Sequence, residues 1–210
     1  MDSLIAVALA WLAYGAIHSL LAAQGPKAWV ARRWPRLAPA YRLLYNLLAL
    51  LLLIPPAALT LAHSGEPLWR WPAWVSWPAA VLAIAGFVWS LRWYDMREFL
   101  GLAQWRRGSD RERAGFVLSP LHRHVRHPWY SLGLLLLWTR DLDAAQLTAV
   151  LVITLYLVVG SRLEEAKLIA LYGEPYRRYR RRVPALIPWP GRSLSRAEAA
   201  ALTAADRPAG

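Results

Sequence analysis

The chain contains no cysteine among its 210 residues, which excludes disulfides, thiolate metal sites and a cysteine nucleophile. Acidic residues are scarce as well. Thirteen Asp and Glu stand against 25 Lys and Arg, leaving a net charge of +12, so any carboxylate in an apolar setting needs a reason to be there. There is no internal repeat, no low-complexity block and no glycine-rich dinucleotide loop, which argues against solenoids, linkers and nucleotide-dependent Rossmann enzymes. What the chain has in abundance is apolar surface: 57% of it is hydrophobic and 13 residues are Trp. That balance fits neither an ordinary soluble domain nor a disordered one, and points to a small polytopic membrane protein. Met1-Asp2-Ser3 leads straight into an apolar run, without a basic n-region or a small-residue cleavage site, so a retained helix is expected and not a signal peptide. The Ala, Leu and Arg bias suggests a bacterial gene.

A hydrocarbon core of roughly 30 Å takes about 20 helical residues, and Ser3 to Ala23, Tyr41 to Ala62 and Ala73 to Trp93 each have that length. A hairpin from Trp129 to Ser161 supplies two more apolar arms, the first of them short, joined by the charged turn Arg140-Asp141-Leu142-Asp143. The expected fold is therefore all-α, with about five transmembrane helices. It divides into an N-terminal three-helix membrane region (1–93), a cytoplasmic loop with the hairpin and C-terminal core (94–192), and an Ala-rich tail (193–210) with no assigned role. Pro55-Pro56 should interrupt the second span and leave carbonyls there without amide partners. The loops alternate in charge. Gln24 to Ala40, Tyr94 to His127 and the stretch after Ser161 are basic, whereas His63 to Pro72 carries only Glu66 and Arg70. The positive-inside rule then puts the N-terminus outside and the C-terminus in the cytoplasm, with the chain in the inner membrane. Trp69, Trp71, Trp74 and Trp77 at one level, and Trp29, Trp34, Trp89 and Trp93 at the other, read as aromatic belts.

Two polar motifs frame the hairpin. Arg126-His127-Pro128-Trp129-Tyr130 opens its first arm, and Glu164-Glu165 closes its second before Tyr172-Gly173-Glu174-Pro175-Tyr176-Arg177-Arg178-Tyr179. Ionisable groups at membrane helices cost roughly 2.5 to 3.5 kcal/mol each at a helix centre, so such a cluster reads as a site. Taken singly, the basic motif is explained by a juxtamembrane anchor, and the Glu and Arg run by a solvated helix with a lipid-headgroup patch. Together, at hairpin spacing on one face, they favour a pocket. Pro128 suits a first helical turn, whose free amides favour anionic groups. Glu164 and Glu165 lie about 100° apart on a helix, so one is expected to face the pocket while the other pairs with Arg162 or Lys167. The third loop, with Gln104 and later Gly115-Phe116-Val117-Leu118-Ser119-Pro120, can cap it. Nucleic acid is a poor partner for this charge, because the basic residues flank apolar spans.

From Phe99 to Trp189 the chain resembles the C-terminal core of the integral-membrane S-adenosylmethionine-dependent methyltransferases, the isoprenylcysteine carboxyl methyltransferase and phospholipid methyltransferase superfamily. The likeness runs through the Arg126 to Tyr130 motif with Gly133, Glu164-Glu165 with Leu168, then Gly173, Tyr176, Tyr179, Val183-Pro184 and Ile187-Pro188. Phe99-Leu100-Gly101-Leu102-Ala103-Gln104 and Arg162-Leu163-Glu164-Glu165 resemble the bacterial methanethiol S-methyltransferase branch in particular, and His18-Ser19-Leu20-Leu21-Ala22 is similar to an element of NnrU-like membrane proteins. The resemblance implies S-adenosylmethionine as cofactor, held by Gln104, the backbone of Val117 and Leu118, His122, Arg126, His127, Tyr130, Glu164, Glu165 and Tyr176. It implies no metal. His127 and Glu164 are the candidate catalytic groups. Two positions depart from the prenylcysteine enzymes: His122 replaces an aromatic residue, and Gly160 replaces an arginine that would bind a substrate carboxylate. A small or lipophilic acceptor without that group, a thiol above all, is thereby favoured. The competing reading is an NnrU-like haem-binding or structural protein with His18 as an axial ligand; a third, a sterol-type membrane reductase, lacks its dinucleotide loop.

Overall fold

A computed structural model describes residues 1–108 and 118–204, and every regular element among them is a helix. They are α1 (Asp2–Ala22), α2 (Gln24–Arg33), α3 (Tyr41–Ala62), α4 (Ala73–Ser90), α5 (Met96–Leu100), α6 (Leu102–Arg107), α7 (Pro128–Trp138), α8 (Ala144–Tyr172), α9 (Glu174–Arg182) and α10 (Arg196–Ala204). Four stretches are long and apolar enough to cross a membrane: Asp2–Ala22, Ala38–Ala62, Ala73–Trp93 and Ala144–Tyr172. Their outward faces carry Leu50, Leu51, Trp74, Leu82 and Leu155, all well exposed, a density of apolar surface that water would not tolerate. The molecule is an all-α, polytopic membrane protein. α7 is different. Its 11 residues span only about 16 Å at about 1.5 Å per residue, short of the roughly 30 Å of hydrocarbon. Its exposed carbonyl ends are nevertheless satisfied, as burial away from water demands: the Trp71 indole donates to the Trp138 carbonyl at 2.7 Å and the Thr139 hydroxyl to that of Leu135 at 2.6 Å.

The chain forms two compact units, each assembled from separated stretches. The first comprises Met1–Arg70, Tyr94–Arg113 and Asp141–Ile153. Within it Val7 of α1 packs on Ala145 and Ala149 of α8, and the Trp11 indole donates to the Thr60 hydroxyl at 2.9 Å. α3 runs unbroken through Pro55 and Pro56, and Thr60 in turn donates to the Pro56 carbonyl at 2.7 Å. Asp143 is buried at the start of α8, where its carboxylate accepts from the Gln146 amide at 2.8 Å and from the Gly65 amide at 3.2 Å. Gly101 has φ 90° and touches the α3 backbone so closely that a Cβ would lie 2.5 Å from the Leu43 nitrogen, which only glycine permits. Arg42 and Asn46 of α3 donate to the carbonyls of Phe99 and Leu100 and hold that turn in place.

The second unit comprises Trp71–Trp93, Ala114–Arg140 and Thr154–Gly210. Gly86 of α4 lets α7 approach, since a Cβ there would meet Leu132 at 2.9 Å, the small-residue device of membrane helix pairs. The Trp129 indole, donating to Ser90 at 2.8 Å, fixes the same pair. A core of Tyr176, Tyr179, Val183, Leu194 and Ala199 closes the unit, so the stretch after residue 193, expected to be a surface tail, contributes two of its buried residues.

Candidate functional site

Arg126 and His127 precede α7, Arg126 in a bend of the chain, and are held there by chain from beyond α9. The Arg126 amide donates to the Pro184 carbonyl at 2.9 Å and the His127 amide to that of Ala185 at 3.0 Å. Residues 126–127 thus turn their side chains toward the end of α8, where Glu165 is 3% exposed. One Glu165 oxygen accepts from Arg126 Nε at 2.7 Å and lies 2.7 Å from Arg126 Nη2 and 3.1 Å from His127 Nε2; the other is ion-paired with Arg180 Nε at 3.0 Å. Arg126 also donates to the carbonyls of Arg180 and Val183. Its guanidinium is fully spent on the protein itself.

Glu164 is the looser partner. Its side chain is 49% exposed and lies 3.5 Å from His127 Nδ1, with the Tyr130 hydroxyl donating to it at 3.4 Å. Tyr130 stacks on the His127 ring with centroids 5.3 Å apart and planes 9° from parallel. The two glutamates thus both reach His127, and Glu165 pairs with Arg126 and Arg180 instead of Arg162 or Lys167. With a carboxylate beside each ring nitrogen, this setting favours the protonated ring, which donates from both. Burial pulls the His127 pKa down, but hydrogen bonds and charge from Glu164 and Glu165 outweigh it, so the net shift is upward from 6.5.

His122 behaves in the opposite way. Its Nδ1 accepts from the Ser119 amide at 3.3 Å and lies 2.7 Å from the Ser119 hydroxyl, which leaves the proton of the neutral ring on Nε2. Burial first, and repulsion from His127 second, lower its pKa to about 4 against the pull of Glu164. Tyr176 is buried, and its phenol is raised by that burial and then by the charge of Glu165. Tyr179 donates to the His122 carbonyl at 2.7 Å, and Leu118 packs on the same core.

The second unit therefore brings together His122, Arg126, His127, Tyr130, Glu164, Glu165 and Tyr176, with Leu118 on the adjoining core. Val117 lies outside the described residues. Gln104 belongs to the first unit, where it is buried; its amide nitrogen donates to the carbonyl and carboxylate of Glu98, and its oxygen has no hydrogen-bond partner among the described residues. Arg180 and Ser119 are the members that sequence reasoning missed. The signal for Arg180 lay in α9, where Tyr176, Tyr179 and Val183 mark the buried stripe and Arg180 falls four residues after Tyr176. His18, the candidate haem ligand, has its Nε2 2.7 Å from the Tyr45 hydroxyl and packs its ring at a tilt against Tyr14 and Tyr45, a satisfied histidine between membrane helices.

Comparison with known proteins follows the same line. A protein of Mycobacterium tuberculosis named methanethiol S-methyltransferase is 34% identical over 197 residues, covering 83% of this chain and 74% of the relative. Methanethiol S-methyltransferase 2 of Bradyrhizobium diazoefficiens is 31% identical, with 81% of this chain and 68% of the relative covered. A namesake from a Pseudomonas species is 30% identical, with 83% and 69% covered. No family model matches the chain, and no solved structure matches it. A polytopic helical membrane protein with these relatives is an integral-membrane methyltransferase. The chain belongs to the methanethiol S-methyltransferase family.

Proposed function

We propose that this protein transfers a methyl group from S-adenosylmethionine to a small thiol, of which methanethiol is the type, in the bacterial inner membrane with its N-terminus outside and its C-terminus in the cytoplasm. The observation that carries the reading is the convergence of Arg126-His127 and Glu164-Glu165, in a chain whose relatives carry that name. The residues present fit such a cofactor. Glu164 offers a half-exposed carboxylate beside the Tyr130 ring, a combination that suits a cationic centre; neutral His122 keeps an N–H donor, and Leu118 adds backbone groups. His127 and Tyr176 complete the set.

When bound, the cofactor supplies an electrophilic methyl group on a sulfonium. The protein's own work is then alignment, exclusion of water and care of one proton. Glu165, fixed by two arginines and His127, is a strut that sets the His127 ring. Glu164, held by two long contacts and open to solvent, is free to take a proton or steady a cation. A thiol with an ordinary pKa near about 8.5 asks little of a base, so positioning carries most of the burden. Arg126 is occupied and position 160 is glycine, so neither position offers a guanidinium to a carboxylate-bearing prenylcysteine.

Calorimetry on the detergent-purified protein tests this. S-adenosylmethionine and S-adenosylhomocysteine should bind wild type, and His127→Ala and Glu164→Ala should lose that binding while remaining folded; added methanethiol should appear as dimethyl sulfide. Absence of binding in folded wild type, or retention in both variants, would sink the assignment.

A further inference from the structure

We infer that residues 184–192 form an anchor that seats the second unit on an anionic lipid surface. After α9 the chain makes a short arc whose tip is apolar and fully presented: Ile187 is 72% exposed and Trp189 66%. Pro184, Pro188 and Pro190 stiffen it. The arc is no loose loop. Three consecutive carbonyls at its base, of Pro184, Ala185 and Leu186, accept from the Arg126 amide, the His127 amide and the Ser131 hydroxyl, the last at 2.6 Å. At its far end the Arg192 amide closes a turn on the Trp189 carbonyl, and its guanidinium donates to the Arg181 carbonyl at 2.9 Å. A rigid arc that exposes an isoleucine and a tryptophan is built to be covered by something.

Charge says what covers it. Between positions 174 and 192 the chain has six arginines (177, 178, 180, 181, 182 and 192) and a single acidic residue, Glu174. Glu174 binds Arg181 at 2.7 Å and Arg178 at 3.5 Å, and Arg180 pairs with Glu165; six arginines against these two carboxylates still leave the surface around the arc net cationic. An amphipathic indole flanked by arginines matches the headgroup boundary of an anionic leaflet, where the ring lies among headgroups and each cation is drawn to the surface. An acidic protein would answer the arginines but leave Ile187 and Trp189 without a purpose, whereas a membrane protein has the lipid surface beside it at all times. Because the base of the arc is bonded to the His127 backbone, seating the arc also fixes the height of that histidine at the boundary.

The lack of native cysteine makes the test clean. Ile187→Cys carries a spin label in nanodiscs of phosphatidylglycerol or of phosphatidylcholine, and its collisions with oxygen and with a water-soluble nickel chelate report depth. Oxygen should dominate in phosphatidylglycerol, and the oxygen-to-nickel ratio should fall severalfold in phosphatidylcholine or when Arg177, Arg178 and Arg181 are changed to Gln. Nickel-dominated collisions in phosphatidylglycerol, or a ratio indifferent to lipid charge and to the arginines, would overturn the inference. The readout needs no turnover, so it stands or falls apart from the methyl acceptor.

Discussion

Removing Glu165 would strand Arg126 and His127 in a buried setting, and breaking such a network by one partner costs about 3–5 kcal/mol. Glu165→Ala should therefore lower the thermal unfolding temperature in detergent markedly. Glu164→Ala, at a half-exposed position, should cost no more than about 1 kcal/mol. Equal losses in the two variants would contradict the division into strut and reactive carboxylate. The two histidines shape the dependence of stability on pH from opposite sides. His127 has a folded pKa raised above 6.5, so its contribution is complete below 6.5 and is lost as pH rises through the folded value. His122 has a folded pKa lowered to about 4, so its contribution is present above 6.5 and is lost as pH falls toward 4. Their overlap puts maximum stability just above 6.5. Thermal unfolding from pH 4 to 9 should show the acid limb flatten in His122→Gln and the alkaline limb flatten in His127→Gln.

At the level of the element, the long apolar runs disclosed α1, α3 and α4 to within a few residues, because a membrane demands length and composition above all. The elements they missed answer to other forces. α2, α5, α6 and α10 are short, and each is held by contacts that composition does not reveal, such as the Asp95 carboxylate accepting from the Arg97 and Glu98 amides at the start of α5. The motifs pointed to the residues that converge around Glu165, but they did not rank their carboxylates. Glu165 is the buried one because Arg126 and Arg180 meet there, and Arg180 arrives from α9 by a turn at Gly173 that no helical wheel of α8 displays. Gly101 shows how far one element depends on a single atom. Gly101→Ala combines a left-handed backbone with a clash against α3, so it should lower the unfolding temperature and loosen α5 and α6, measured by hydrogen exchange. Gly133→Ala, where a Cβ meets nothing within 4 Å, should leave the fold unchanged; loss of cofactor binding in that variant would mean that a ligand passes along that face of α7.

The molecule presents many apolar side chains outward and, among the described residues, gathers its most buried ion pairs around Glu165, the inverse of a soluble enzyme's arrangement. Much of that inversion was readable in advance, since exposed leucines and tryptophans follow from the spans themselves. The grouping of the chain into units was not, because it depends on which distant stretches return to each other. Each unit draws on three such stretches, and that has a bearing on how the protein is made. When the ribosome has delivered Met1–Arg70, Val7 still awaits Ala145 and Ala149, and Gly65 still awaits Asp143. The core of the second unit is completed only by Leu194 and Ala199. α1 and α3 can pair as soon as both are made, through Trp11 with Thr60 and His18 with Tyr45, whereas Val7 and Gly65 meet their partners, and the second unit closes its core, only after the later stretches have been delivered.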